Sequence, residues 1–108
     1  MKHRDDLLAD LGRFSEPALY ILISLAEGPK HGYAMTQDIE AIAGQKLGPG
    51  TLYGAIARLE ARKWIEPLPA EDRRRPYRLT AAGLGALRHR LQSLHALARI
   101  GRTRLAEA

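Results

Sequence analysis

The side chains of this sequence that could do chemistry are mainly arginines and hydroxyl-bearing residues in two short segments. The first segment carries Thr51, Tyr53, Arg58 and Arg62, and the second is the uninterrupted run Arg73-Arg74-Arg75. Guanidinium groups pair with phosphates and with the edges of guanine bases, and hydroxyl groups donate to phosphate oxygens. Both segments therefore predict contact with nucleic acid. For Arg58, the sequence leaves open whether the partner is a base or a phosphate.

Other kinds of chemistry are poorly represented. The chain has no cysteine, which excludes disulfides, thiolate metal ligands and a cysteine nucleophile. His89 and His95 are six residues apart and would not share a helix face, which disfavours a metal-sensing site. No nucleophile–base pair, phosphate loop or pair of carboxylates stands out. We therefore expect no enzymatic activity, no metal and no cofactor.

Length and charge agree with a small nucleic-acid-binding domain. The chain has 108 residues, enough for one compact domain, and a formal net charge of +5. A small basic domain is tested first against nucleic acid. No apolar run approaches the roughly 18 residues that a membrane span needs, and the start of the chain is acidic rather than apolar. We expect a cytoplasmic protein with no membrane partner.

Helical periodicity dominates the first half of the chain. Helices are predicted from Ser15 to Glu27, from His31 to Ala43 with Gly44 as a left-handed cap, and from Pro49 onward. A short helix is also predicted between Asp5 and Gly12. The apolar stripes of the three main helices are expected to be Leu19, Leu22, Ile23 and Ala26; Met35, Ile39 and Ile42; and Leu52, Ile56 and Leu59.

The pattern changes to strands after the third helix. Residues 64–68 predict an edge strand because they include Pro67, and residues 77–80 predict the returning strand. The loop between them, from Pro69 to Pro76, would carry the three arginines at its tip. A long helix from Ala81 to Leu105 follows, capped by Thr80. This order predicts a mainly α winged helix-turn-helix with a small β-hairpin: an N-terminal segment 1–14, a DNA-binding domain 15–80 and a C-terminal dimerisation helix 81–108.

The third helix is suited to the major groove of DNA. Gly54 and Ala57 leave room for close approach on its outward face, which is otherwise polar and basic. Lys30 and Tyr33 stand at the start of the second helix, where helix-turn-helix proteins cross the phosphate backbone. Lys30 fits a phosphate contact and a plain solvated position equally well, and His31 is interpreted as a helix cap. The alternative function is a winged-helix module that binds protein, which would predict a neutral third helix and wing.

The final helix is too long to be buried against so small a domain. Its apolar stripe would stay exposed in a monomer, and exposed apolar seams mark interfaces. The stripe consists of Leu84, Leu87, Leu91, Leu94 and Ala98. We expect a two-fold homodimer that places two recognition helices about 34 Å apart, on an inverted-repeat operator in double-stranded DNA.

Three motifs in these elements resemble one family of regulators. Residues 28–33, Gly-Pro-Lys-His-Gly-Tyr, are similar to the Gly-Pro-x-His-Gly-Tyr signature of the phenolic acid decarboxylase regulator (PadR) family. Residues 49–53, Pro-Gly-Thr-Leu-Tyr, with Arg-Leu-Glu at 58–60, resemble the recognition helix of that family. Residues 77–83, Tyr-Arg-Leu-Thr-Ala-Ala-Gly, resemble its Tyr-x-Leu-Thr-x-x-Gly junction. Together the motifs cover about residues 15–87 in the family's order and spacing.

The resemblance implies a homodimeric transcriptional regulator, usually a repressor, of the short type with a single dimerisation helix. It implies DNA contacts from Tyr33, Thr51, Tyr53 and the wing arginines, and it allows a small hydrophobic effector at the dimer interface. The chain departs from the family at Gly48, where a serine is common, and at Gly54, where a proline is common. It also has Lys63 where a glycine often ends the helix, and a left-handed Lys63 would be strained by about 1–2 kcal/mol.

Overall fold

The computed structural model describes residues 17–108, which form four helices and three short strands. In chain order these are α1 (Pro17–Ala26), β1 (Lys30–His31), α2 (Gly32–Ala43), α3 (Pro49–Ala61), β2 (Ile65–Pro67), β3 (Pro76–Leu79) and α4 (Ala81–Glu107). The predicted mainly α winged helix-turn-helix is confirmed. The segment 1–14, its short helix between Asp5 and Gly12, and the Ser15 cap lie outside the described residues. No helix within residues 17–108 has both the length and the apolar character needed to cross a membrane.

The core lies where α1, α2 and α3 meet under the sheet. Its largest fully buried side chains include Ile21, Met35, Ile39, Leu52, Leu59 and Ile65. The predicted stripes of α2 and α3 supply most of these residues because their apolar positions recur at helical spacing. Ile42 is the exception: it is 46% exposed, since it lies in the last turn of α2 beyond the cover of α1 and α3.

Helix ends are fixed by local chemistry. His31 precedes α2 in an extended conformation and accepts a hydrogen bond from the Ala34 amide, so its predicted role as a cap is confirmed. Gly44 ends the same helix with φ of 71°, the predicted left-handed cap. Pro49 occupies the first turn of α3 after Gly48, which has no side chain with which to cap it.

The sheet has three strands in the order β1-β3-β2 and is antiparallel throughout. Pro67 lies in β2, at an edge, where its missing N–H is tolerated. The sequence predicted only the hairpin of β2 and β3. The additional strand β1 is two residues long, and it exists because Lys30 and His31 pair with Tyr77 and Pro76. So short a strand leaves no alternating pattern in the sequence.

A tight junction joins the sheet to α4. The Thr80 hydroxyl accepts from the Gly83 amide and donates to the carbonyl of Lys63, while the Thr80 amide donates to the carbonyl of Trp64. Gly83 packs directly against that Trp64 carbonyl, so closely that no Cβ could be accommodated. Lys63 has φ of 62°, so the strained left-handed conformation considered for it is present. These contacts fix the direction in which α4 leaves the wing.

The long α4 begins in the core and ends outside it. Leu87 is 4% exposed and packs in the core of its own chain, so the structure assigns it to the protomer rather than to the predicted dimer seam. Leu94 is half-buried against the same core. Leu84 and Leu91 remain exposed, as do Leu97 and Ile100, which the sequence analysis did not include.

Candidate nucleic-acid interface

Helix α3, the predicted recognition helix, presents small residues outward and larger ones on its flanks. Leu52, Ile56 and Leu59 face the core, and helical geometry therefore directs Gly54 and Ala57 to the opposite side. Thr51 and Arg58 lie along one flank and Tyr53 along the other, and all three are exposed. A helix of this kind can approach base edges closely while its flanks reach towards the sugar–phosphate backbone.

Tyr53 packs over the start of α2. A Cβ built on Gly32 would come within 2.5 Å of the Tyr53 hydroxyl oxygen, so the glycine is what allows this contact. The Tyr53 side chain is nevertheless 54% exposed. Tyr33 is also exposed, and its hydroxyl accepts a hydrogen bond from the Gln37 amide. The two phenols thus lie on the same exposed side, where α2 begins. In the motif Gly32-Tyr33, the sequence analysis named only the tyrosine as a contact residue. The structure shows that the glycine is needed for the packing of Tyr53.

The wing tip is a tight two-residue turn. Glu71 and Arg74 exchange backbone hydrogen bonds of 2.7 and 2.8 Å, and the two residues between them have positive φ, 48° at Asp72 and 66° at Arg73. Two successive positive φ values characterise a type I′ hairpin turn, whose twist matches that of the strands. Arg73, Arg74 and Arg75 are all exposed at this tip.

The wing and the start of α2 enclose a basic cavity of about 280 Å³. It is lined by His31, Gly32, Tyr33, Tyr53, Arg73, Arg74, Arg75 and Tyr77. None of these described lining residues is acidic, so the cavity favours an anion. Burial raises the pKa of the Tyr77 phenol above its ordinary value; the Glu60 carboxylate raises it further and the Arg75 guanidinium opposes the rise. Tyr77, which the sequence analysis placed in a strand but did not name as a contact residue, therefore stays neutral and able to donate at physiological pH.

The ammonium group of Lys30 is engaged within the protomer. It donates to the carbonyl of Ser24 at 2.5 Å and lies 3.8 Å from carboxylate oxygens of both Glu27 and Asp38. The Lys30 side chain is only 15% exposed. The geometry therefore supports a structural role that ties α1 to α2, in place of the predicted phosphate contact.

Arg62 is also engaged within the protomer. Its guanidinium lies 5.1 Å from the centroid of the Trp64 ring, a cation–π arrangement. Arg62 and Arg58 both line a cleft of about 760 Å³ between α1, α3 and α4. The floor of the cleft includes Leu19 and Leu22 from the core, and Trp64 is half-buried beside them. Arg58 thus lies between the exposed face of α3 and this cleft.

Metal-binding geometry is not found in the described part of the chain. Within residues 17–108, no three histidine or acidic side chains are grouped closely enough to hold a metal ion. His89 lines the cleft, whereas His95 lies further along α4. The arrangement best supports binding of an extended anion by the exposed face of α3, the start of α2 and the wing.

Comparisons with known proteins agree with this geometry. A family model described as "Transcriptional regulator PadR-like family" matches residues 21–89. The chain is 39% identical over 84 residues to the transcriptional regulator Rv3488 of Mycobacterium tuberculosis. The match covers 75% of this chain and 78% of that protein. It is 44% identical over 88 residues to an uncharacterised 37.1 kDa protein in transposon Tn4556 of Streptomyces fradiae. That match covers 82% of this chain but only 25% of the transposon protein.

Solved structures share the architecture. A transcriptional regulator from Clostridium thermocellum superposes with a TM-score of 0.72 at 27% identity, over 80% of this chain and 89% of that one. The similarity therefore extends beyond the DNA-binding motifs to most of the described fold.

Proposed function

Because the chain belongs to the PadR-like family of transcriptional regulators, we propose that it is a homodimeric repressor that binds an inverted-repeat operator. In this proposal α3 enters the major groove, and the wing and the start of α2 hold the flanking phosphates. Such a regulator acts where the chromosome lies, so its proposed location is the cytoplasm. It is not proposed to be an enzyme.

One observation carries the DNA-binding proposal: α3, the start of α2 and the wing form a continuous exposed surface around a cavity with no acidic residue among its described lining. Tyr33, Thr51, Tyr53, Arg58 and the wing arginines are the proposed contacts. Arg62 takes part only if its guanidinium leaves Trp64, and Lys30 is not part of the set.

The homodimer is supported by α4. This helix has 27 residues, and almost all of its second half is exposed, including Leu97, Ile100 and Leu105. Exposed large apolar side chains on a helix that extends beyond its own core favour burial against a second copy. Leu84, Leu91 and Ala98 are the proposed seam residues from the predicted stripe, with Leu94 at the margin of the core. Leu97 and Ile100 are six and nine residues after Leu91 and therefore lie on other faces of α4.

The first test is a salt-titrated binding assay on the DNA upstream of the protein's own gene, with an unrelated duplex as competitor. Specific binding with a two-protomer footprint is expected. Replacing Arg73, Arg74 and Arg75 by alanine should weaken binding to every duplex and flatten the salt dependence by about 0.9 per lost phosphate contact. Absence of binding at low salt would overturn the proposal and favour a module that binds protein.

Arg58 needs a separate experiment because it can reach a base or a phosphate. Arg58→Ala is expected to relax preference at particular base pairs, which would be measured by competition with singly substituted operators. Uniform weakening over all operators would instead assign Arg58 to a phosphate. Arg104→Ala, which removes an exposed arginine near the far end of α4, serves as the matched control.

A small-molecule effector is the second part of the proposal. The sequence analysis expected it at the dimer interface, whereas the 760 Å³ cleft that supports it is lined by residues of one protomer. The cleft combines apolar residues of α1 with Arg58 of α3 and Arg62, the residue that follows α3, so a hydrophobic molecule bound there would contact the recognition helix directly. Release of operator DNA by such a molecule would be measured in the same binding assay. Ala86→Phe, which adds bulk at a partly buried position of α4 in the cleft lining, should abolish the release while leaving DNA affinity intact.

A further inference from the structure

His31 uses one ring nitrogen to start α2. The Ala34 amide donates to its Nδ1 at 3.3 Å. A neutral imidazole has one nitrogen that donates and one that accepts. With Nδ1 accepting, the hydrogen must be on Nε2.

The other ring nitrogen, Nε2, contacts the wing. Nε2 of His31 lies 3.4 Å from Nη1 of Arg74, 43 residues later in the chain. A guanidinium can only donate. Two donors therefore face each other wherever the cap is intact.

No protonation state of His31 satisfies both contacts. With the hydrogen on Nε2, the ring accepts from the Ala34 amide, but its N–H faces the N–H of Arg74. With the hydrogen on Nδ1, the ring accepts from Arg74, but its N–H faces the Ala34 amide. The imidazolium opposes donors on both sides. The amide of Ala34 belongs to the first turn of a helix, where another acceptor is hard to find, whereas Arg74 is exposed and can turn to solvent. The Nε2–H form is therefore the stable one.

An acceptor placed between the two donors resolves the conflict. His31 and Arg74 line the basic cavity together with Arg73 and Arg75, and they also line a neighbouring cavity that includes Glu71 and Asp72. On the side of the basic cavity, an anionic oxygen is the strongest acceptor for a guanidinium. We propose that a phosphodiester oxygen of DNA is held jointly by Nε2–H of His31 and the guanidinium of Arg74. This inference rests on the proposed DNA binding, and it gives His31 a ligand contact in addition to its capping role.

The shared phosphate connects two parts of the interface. His31 belongs to β1 and pairs with Pro76 of β3, while Arg74 lies at the wing tip. One phosphate would thus fix the wing against the start of α2 when DNA binds. The two residues should consequently act as a pair in binding.

His31→Ser tests the contact because serine retains a cap acceptor and lacks the second donor. Affinity for the operator is expected to fall about tenfold, since a hydrogen bond to a charged group is lost. The slope of affinity against salt should not change, because a neutral imidazole displaces no counterion. Arg74→Ala should lower both the affinity and the slope, by about 0.9. If serine impairs folding, His31→Asn caps equally well and cannot reach the Nε2 position.

A double-mutant cycle tests the sharing. In the Arg74→Ala background, His31→Ser is expected to have a much smaller effect than in the wild type. Independent effects would overturn a shared phosphate, and full affinity of His31→Ser would overturn the contact altogether. Lack of DNA binding by the wild type would refute the proposed function itself. Normal binding by the wild type together with an unaffected His31 variant would refute only this inference.

A second readout does not involve DNA. Long-range ¹H–¹⁵N NMR of the imidazole in the free protein should show the hydrogen on Nε2 of His31. A hydrogen on Nδ1 would overturn the inference, because His31 would then accept from Arg74 and need no anion.

Discussion

At the scale of single residues, Gly83 is required because of distance rather than backbone conformation. It lies inside a regular helical turn, yet the carbonyl of Trp64 occupies the space that a Cβ would need. The Thr-x-x-Gly spacing places the capping hydroxyl and this close approach in the same turn of α4. The motif therefore encodes the packing of the wing against α4.

Gly83→Ala is expected to lower the free energy of unfolding by at least about 1–3 kcal/mol, because the backbone of Trp64 must move to make room for the methyl group. Urea unfolding measures the change. Gly85→Ala is the matched control: it lies in the same helix with open space around its Cβ position, and should stabilise by about 0.5–1 kcal/mol. Equal effects of the two substitutions would contradict the packing argument.

Lys63 offers a second residue-level prediction. Lys63→Gly is expected to stabilise the protein by about 1 kcal/mol relative to Lys63→Ala, because alanine keeps the left-handed strain at φ of 62° and glycine removes it. The comparison cancels the loss of the lysine side chain, and thermal or urea unfolding measures it. Equal stability of the two variants would show that the position is not strained.

At the scale of elements, α4 depends on a cap that also closes the wing. The Thr80 hydroxyl accepts from Gly83 and donates to the carbonyl of Lys63 at 2.6 Å, so one side chain stabilises both the start of α4 and the turn between α3 and β2. An isolated N-cap has only the first of these interactions.

Thr80→Ala should therefore lower the free energy of unfolding by about 1–2 kcal/mol, near the upper end for a cap. Thr80→Ser, which keeps the hydroxyl, should recover most of the loss. Both are measured by urea unfolding in the same buffer. Failure of serine to recover stability would assign the effect to the methyl group and not to the hydrogen bonds.

From the end of α1 onward, the helix ends that the sequence predicted lie within about two residues of the observed ones, because the apolar spacing, Gly44 and Pro49 are local signals. Side-chain directions were not. Helical spacing cannot show that Lys30 turns inward to Ser24 or that Leu87 belongs to its own core. Those outcomes depend on which element lies opposite, and the strand β1 likewise exists only through its pairing with β3.

At the scale of the whole molecule, the proposed dimer depends on apolar side chains that the single chain leaves exposed. Leu84, Leu91, Leu97 and Ile100 are all more than one-third exposed along α4. Within residues 17–108, only the first part of the longest helix is buried, and a second copy would cover the remainder.

Leu91→Glu is expected to convert the dimer to monomer, because a carboxylate buried in an apolar seam is unfavourable. Sedimentation velocity measures the oligomeric state. Gln92→Glu introduces the same charge one residue later, on a different face of α4, and should leave the dimer intact. A monodisperse dimer of the Leu91 variant would place the interface elsewhere.

The absence of any linker between the wing and α4 has a geometric consequence. β3 ends at Leu79, Thr80 is the cap and α4 starts at Ala81. The wing, the recognition helix and α4 should therefore rotate together as one rigid body. In a dimer, a tilt of about 10° along a helix about 40 Å long displaces the far end by about 7 Å, or two base-pair steps of about 3.4 Å. The crossing angle of the two final helices would therefore set the length of DNA between half-sites. Substitutions in the seam should change the preferred operator spacing without changing which bases are read.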